Sequence, residues 1–185
     1  MFEAAGTLAA WTRVPRRFAN GIAARLPRNA RLDEVTTSLP LSATPEAVVR
    51  SIAFYEEVPG SPPLLLRLFL PHPIRSEGKK DAPGDLVRCV YEGGYLIKQI
   101  TAANARGVEF EVIEQRLGIE GLASMGRGCY SVEPAGAGRS VVHLTTCYSG
   151  HLVPRWFWRP LERVLAHSLH RYILAGMGRT LDRSA

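Results

Sequence analysis

The run from Pro154 to Leu181, PRWFWRPLERVLAHSLHRYILAGMGRTL, constrains this chain more than any other stretch. At about 100° per residue, Phe157, Leu161, Val164, Leu165, Ser168, Leu169, Tyr172 and Gly176 fall on one broad face. Arg159, Arg163, His167, His170 and Arg171 fall on the other. The pattern predicts one long amphipathic helix laid on an apolar surface, with the histidines turned to solvent. Pro154 and Pro160 both suit a first helical turn, so the helix starts at one or kinks at the other. Residues 31–148 read as the sheet that such a helix covers.

A chain of 185 residues with 46% hydrophobic content is one domain with an appendage, large enough to bury a core. No apolar run reaches the roughly 18 residues of a membrane span, and no signal-peptide pattern opens the chain. Cys89, Cys129 and Cys147 form no close pair. They suit reduced thiols in a cytoplasmic protein better than a disulfide framework or a zinc site. The net charge of +6 is concentrated at the two ends. Arginines 13, 16, 17, 25, 28 and 31 crowd the first segment, and arginines 155, 159, 163, 171, 179 and 183 the last. No helix-turn-helix, zinc finger or single-strand-binding motif accompanies that charge, so nucleic acid is not an expected partner.

Residues 1–30 form a segment of their own, in which Trp11, Val14, Phe18, Ile22 and Leu26 recur at helical spacing between arginines. Such a helix can lie on an anionic membrane surface, or pack on its own domain or a second subunit. Residues 31–185 then make the main domain. Residues 31–41 fit a first strand. Thr44 as N-cap, Pro45 at the first helical position and Glu46 in the first turn start a short helix. A proline cluster precedes a second, Leu64 to Leu70, which Pro71 and Pro73 terminate. Residues 75–85 read as a polar loop. Five period-two strands follow, at 85–92, 95–102, 108–116, 122–132 and 140–148, with the first two joined through Gly93 and Gly94. Short connections imply an antiparallel meander.

The order of strand, two short helices, five strands and long helix resembles the helix-grip fold of the START-like (SRPBCC) superfamily, with its polyketide cyclases and Bet v 1-type proteins. The likeness is carried by LPLSATPEAVVRSI, by PGDLVRCVYEGGYLIKQIT, by GCYSVEPAGAGRSVVHLTTCYSG, and by the final helix. The family often places a Gly-Thr pair in its last hairpin; Gly138-Arg139 stands here. The resemblance covers residues 31–181. It implies an α+β fold of six or seven curved antiparallel strands around the long helix, with a cavity between them for a hydrophobic or amphipathic small molecule. The expected function is binding or carriage of a lipid or polyketide-like compound. The alternative is a cyclase, aromatase or dehydratase using the same cavity.

Polar residues that interrupt the strands are the candidates for chemistry: Arg88, Lys98, Glu109, Glu111, Glu114, Arg127 and His143. Alternation puts Leu86, Arg88 and Val90 on one face, and Val141, His143, Thr145 and Cys147 on one face, without fixing which is concave. Arg88, Arg127, His143 and Tyr148, with Ser168 and Tyr172 of the helix, are the cavity candidates. Arg88, Arg127, His143 and Tyr148 would serve proton transfer or charge stabilisation in the enzyme case. Ser168, Ala175 and Gly176 either leave room for a ligand or let a bulky strand residue pack close. His72, between prolines, is a rim residue or a surface-loop residue. Neither His167 and His170 nor any other set has the company a metal requires. No GxSxG elbow, phosphate-binding glycine loop, HExxH or CxxC is present, so neither metal nor cofactor is expected.

Overall fold

The computed structural model describes residues 32–54 and 60–184. The amphipathic pattern of residues 1–30 therefore lies outside the described residues. The element order is β1 (Asp33–Leu41), α1 (Pro45–Phe54), α2 (Leu64–Phe69), β2 (Pro73–Gly78), β3 (Leu86–Tyr91), β4 (Gly94–Asn104), β5 (Gly107–Arg116), β6 (Ala123–Pro134), β7 (Ser140–Gly150) and α3 (Arg155–Ser184). The strands form one antiparallel sheet in the order β1-β7-β6-β5-β4-β3-β2. The fold is thus α+β, a seven-stranded curled sheet gripping a long helix, as the element pattern predicted.

Local chemistry accounts for the elements. The Thr44 hydroxyl accepts the Ala47 amide at 3.3 Å, capping α1 where Pro45 supplies a preset φ. Tyr91 pairs with Gly94 across a two-residue turn, Glu92-Gly93, in which Gly93 adopts φ +76°. That left-handed position strains any residue with a Cβ. The α2 helix ends at Phe69, before the prolines. Residues 75–78, expected as the start of a polar loop, instead belong to β2, which pairs with β3 from Pro73 opposite Tyr91 to Gly78 opposite Val87. This is an edge strand. Proline at its first position and Arg75 and Glu77 along it are what an unpaired edge tolerates, and they erase the alternating pattern.

The core lies between the inner sheet face, α1 and α3. Val48, Val87, Ile100, Phe110, Val142, Leu144, Leu174 and Met177 are buried in one cluster, each large side chain contributing roughly 1.5–3 kcal/mol. The α3 helix runs unbroken through Pro160, but its inward stripe differs from the expected one. Phe157 is 55% exposed and Val164 54%, whereas His170 is only 3% exposed. The reason is that the first half of α3 docks by polar contacts. Arg155 reaches Asp33 of β1 at 2.7 Å and holds both carboxylate oxygens of Glu162, and Arg159 reaches Asp33 at 2.6 Å. The stripe becomes apolar only toward Leu174 and Met177. No described helix is long and apolar enough to cross a membrane.

Candidate functional site

Strand parity decides what reaches the interior. On β3, Val87, Cys89 and Tyr91 point inward; on β4, Leu96, Lys98 and Ile100; on β5, Val108 and Phe110; on β6, Tyr130. All of these except Leu96, which packs in a neighbouring cluster with Tyr91 and Leu117, join Ile52 of α1, Ile173 and Met177 of α3, and Pro73, Arg75, Ser76 and Lys80 along the β2 edge to line a cavity of about 70 Å³. That is below the ~300 Å³ at which ordinary small-molecule sites begin. A larger occupant must displace wall, which along the β2 edge includes the long side chains of Arg75 and Lys80.

Lys98 is the unusual lining residue. It stands opposite Val87 and Val112 on the inner face, and its Nζ lies 4.1 Å from the centroid of the Phe110 ring. An ammonium over an aromatic face is held by the ring quadrupole. Gly128 makes room for that ring. A Cβ there would stand 2.7 Å from Phe110 Cζ and 2.5 Å from the Thr145 carbonyl oxygen. Phe110 in turn lies 6.2 Å from the Tyr130 ring. Burial pushes the hydroxyls of Tyr91 and Tyr130 far above the ordinary phenol range, with Lys98 partly opposing this at Tyr91. Both therefore remain neutral hydrogen-bond donors. The cavity thus combines apolar walls with Lys98 on the inner face, Arg75 and Lys80 along the β2 edge, and two phenols.

A second polar cluster lies under α3, nearer β1 and β7. His170 Nδ1 is 3.1 Å from Thr37 Oγ1, and its Nε2 is 2.9 Å from Thr146 Oγ1. Thr37 also meets His167 Nδ1 at 2.8 Å. Burial, with smaller contributions from His167 and Lys98, pulls His170 down to about 4, so it is neutral at pH 7. Both histidines, expected in solvent, belong to the helix–sheet contact. No group of three or more potential metal ligands occurs among the described residues.

The six residues singled out from sequence are dispersed. Arg88 faces outward, 4.7 Å from the Tyr95 ring centroid. Arg127 is exposed on β6, opposite Cys147. His143 pairs with Ser38 on the outer face, its Nδ1 2.7 Å from Ser38 Oγ and its Nε2 3.7 Å from Glu133. Tyr148 points inward, but under the start of α3 rather than into the cavity; burial first, then Glu162 and Asp33, push its hydroxyl up to about 12. Ser168 and Tyr172 line a groove of about 600 Å³ between α2 and α3, where Tyr172 donates to the Gly60 carbonyl at 2.8 Å. His72 bridges to Glu92 at 2.9 Å, next to the cavity-lining Pro73. Lys98 itself carried a readable signal. Period two places it between Leu96 and Ile100 on one face, a lysine flanked by two apolar side chains.

Solved structures share this architecture. A START superfamily protein from Mycobacterium smegmatis superposes with a TM-score of 0.59 at 12% identity, over 82% of this chain and 99% of that one. The fold is the START-like helix grip. The Zhui aromatase/cyclase from Streptomyces sp. R1128 matches with a TM-score of 0.58 at 15% identity, over 84% of this chain and 97% of the other. Norcoclaurine synthase from Thalictrum flavum, in complex with dopamine and hydroxybenzaldehyde, matches with 0.57 at 13% identity, over 84% and 90%. No family model and no curated protein matches the sequence. These START-like neighbours include an enzyme that cyclises and one solved with small aromatic molecules bound, so the fold accommodates a ligand cavity.

Proposed function

We propose that this protein binds or carries a hydrophobic or amphipathic small molecule, lipid or polyketide-like, between the sheet and α3. One observation supports it above the others: strands β2 to β6, α1 and α3 all turn apolar side chains toward a space they do not fill. A well-packed domain leaves few such voids. Native mass spectrometry of freshly purified protein tests the reading. A retained apolar compound, absent from a Cys89→Phe variant whose ring fills the cavity, is the expected result. Equal retention by that variant would move the ligand elsewhere, and failure of a panel of apolar compounds to bind would remove the reading.

A specific observation also favours a second reading, a cyclase, aromatase or dehydratase. Lys98 and the neutral phenols of Tyr91 and Tyr130 share the cavity, and such groups can stabilise developing negative charge and donate protons. Turnover of cyclic or polyketide-like substrates that disappears in Lys98→Met, with binding retained, would support it. Turnover unchanged in that variant would take Lys98 out of any mechanism.

A further inference from the structure

We infer that the molecule held in this cavity carries an anionic oxygen group, a carboxylate or its equivalent, and that Lys98 is its anchor. This rests on the reading of the cavity as a ligand site. Three cations line the space, Arg75, Lys80 and Lys98, and no aspartate or glutamate is among its lining residues within the described part of the chain. Lys98 projects from the middle of the inner face rather than from an edge, opposite Val87 and Val112, with the Phe110 ring under its ammonium. Lys98 is half-buried, so its ammonium is partly withdrawn from water, and a partner of opposite charge would offset that cost. The ring compensates in part. An oxyanion in the cavity would complete the pairing and would find the Tyr91 and Tyr130 hydroxyls as neutral donors on the same wall.

The other two cations fit an approach path. Arg75 sits on the edge strand β2 and is 50% exposed, with its Nε on Glu77 at 2.8 Å. Lys80, just beyond that strand, donates to Ser76 at 2.8 Å. Glu77 offsets part of the Arg75 charge, and the positive charge that remains at the mouth of an apolar cleft favours anions over cationic competitors. The specificity is therefore for an apolar body with one negative end, and against amines of similar shape.

An isosteric pair of ligands tests this. N-phenyl-1-naphthylamine, a neutral fluorescent probe of apolar sites, is bound to the full chain and displaced by 2-naphthoate or by uncharged 2-naphthamide. We expect the carboxylate to displace the probe at a concentration at least ~10-fold lower than the amide, with the preference falling as salt is raised. The ratio should collapse toward one in Lys98→Met, or in Lys98→Gln should the methionine variant not fold. Displacement by both compounds within twofold of each other in the wild type would overturn the anion proposal and leave the cavity reading standing. A preference that survives loss of Lys98 would overturn the assignment of the anchor. If the probe does not bind, or neither compound displaces it, the cavity reading fails and takes the proposal with it.

Discussion

The Nε2 atom of His170, in the middle of α3, lies 2.9 Å from the Oγ1 atom of Thr146 on β7. The other ring nitrogen reaches Thr37 on β1, so one imidazole ties the helix to both strands beneath it. The ring is held neutral, and its folded-state value of about 4 lies below the ordinary 6.5. The unfolded chain therefore binds the proton first as pH falls, and stability drops between about pH 6.5 and pH 4. The full effect is on the order of 3 kcal/mol. Urea midpoints between pH 7.5 and 4.5 should fall for the wild type. His170→Gln should lower the midpoint at pH 7.5 and flatten the slope over that window. Parallel slopes would show that the acid sensitivity resides elsewhere.

Asp33 is the carboxylate on which the start of α3 closes, since Arg155 and Arg159 both reach it. Asp33→Asn leaves the hydrogen bonds weakened and two guanidinium groups short of a counter-charge, although Glu162 still holds Arg155. Breaking a fully buried pair costs roughly 3–5 kcal/mol, and the arginines here are 33% and 49% exposed, which screens them. The expected loss is about 2 kcal/mol, read from the urea midpoint at pH 7. A change below about 0.5 kcal/mol would mean that the two arginines serve solubility rather than docking.

Gly128 is where the cavity is most easily distorted. An added methyl would stand 2.5 Å from the Thr145 carbonyl oxygen and 2.7 Å from Phe110, and a backbone carbonyl within a ladder has little room to retreat. Gly128→Ala should cost ~1–3 kcal/mol, as overpacking does, and should weaken probe binding by shifting the ring under Lys98. Gly121→Ala is the control. Nothing lies within 4 Å of a Cβ at that position, so its midpoint should move by less than about 0.5 kcal/mol.

Arg88 lies over Tyr95 on the outer face of the sheet, remote by parity from the cavity. Replacing it with Gln should leave probe affinity within twofold of wild type while removing a contact worth about 0.5–1 kcal/mol. Fluorescence titration and a urea melt of the same sample check both halves. A large loss of affinity with unchanged stability would place the ligand on the opposite side of the sheet from the one argued above.

Legibility in the sequence followed how far each element obeys a simple period. Strands β3 to β7 alternate and are punctuated by glycine turns, so the meander could be read. Thr44, Pro45 and Glu46 marked the start of α1. Strand β2 could not be read, because an edge strand with Arg75 and Glu77 has only one neighbour and little apolar alternation. The length of α3 was plain, whereas its orientation was hidden: its inward stripe carries Arg155, Glu162 and His170 before it turns apolar, and Trp156, Phe157 and Val164 stay exposed. The same ambiguity obscured His143. Both faces of β7 carry apolar side chains, and only the pairing with Ser38 shows which way that histidine points. Lys98 needed no structure for its face, only attention to its neighbours Leu96 and Ile100.

The ladder between β1 and β7 has a consequence for how the molecule is made. Asp33 pairs with Tyr148, and Leu41 with Ser140. During synthesis, β1 leaves the ribosome some hundred residues ahead of β7, its partner strand, with Val35, Leu39 and Leu41 uncovered by it until then. The hairpins from β3 to β6 can close locally as they emerge, but the sheet is completed, and α3 seated, only at the end. Non-local pairing of this kind slows folding and lengthens exposure to aggregation. The early strand should therefore be a segment that a nascent-chain chaperone holds until β7 has emerged.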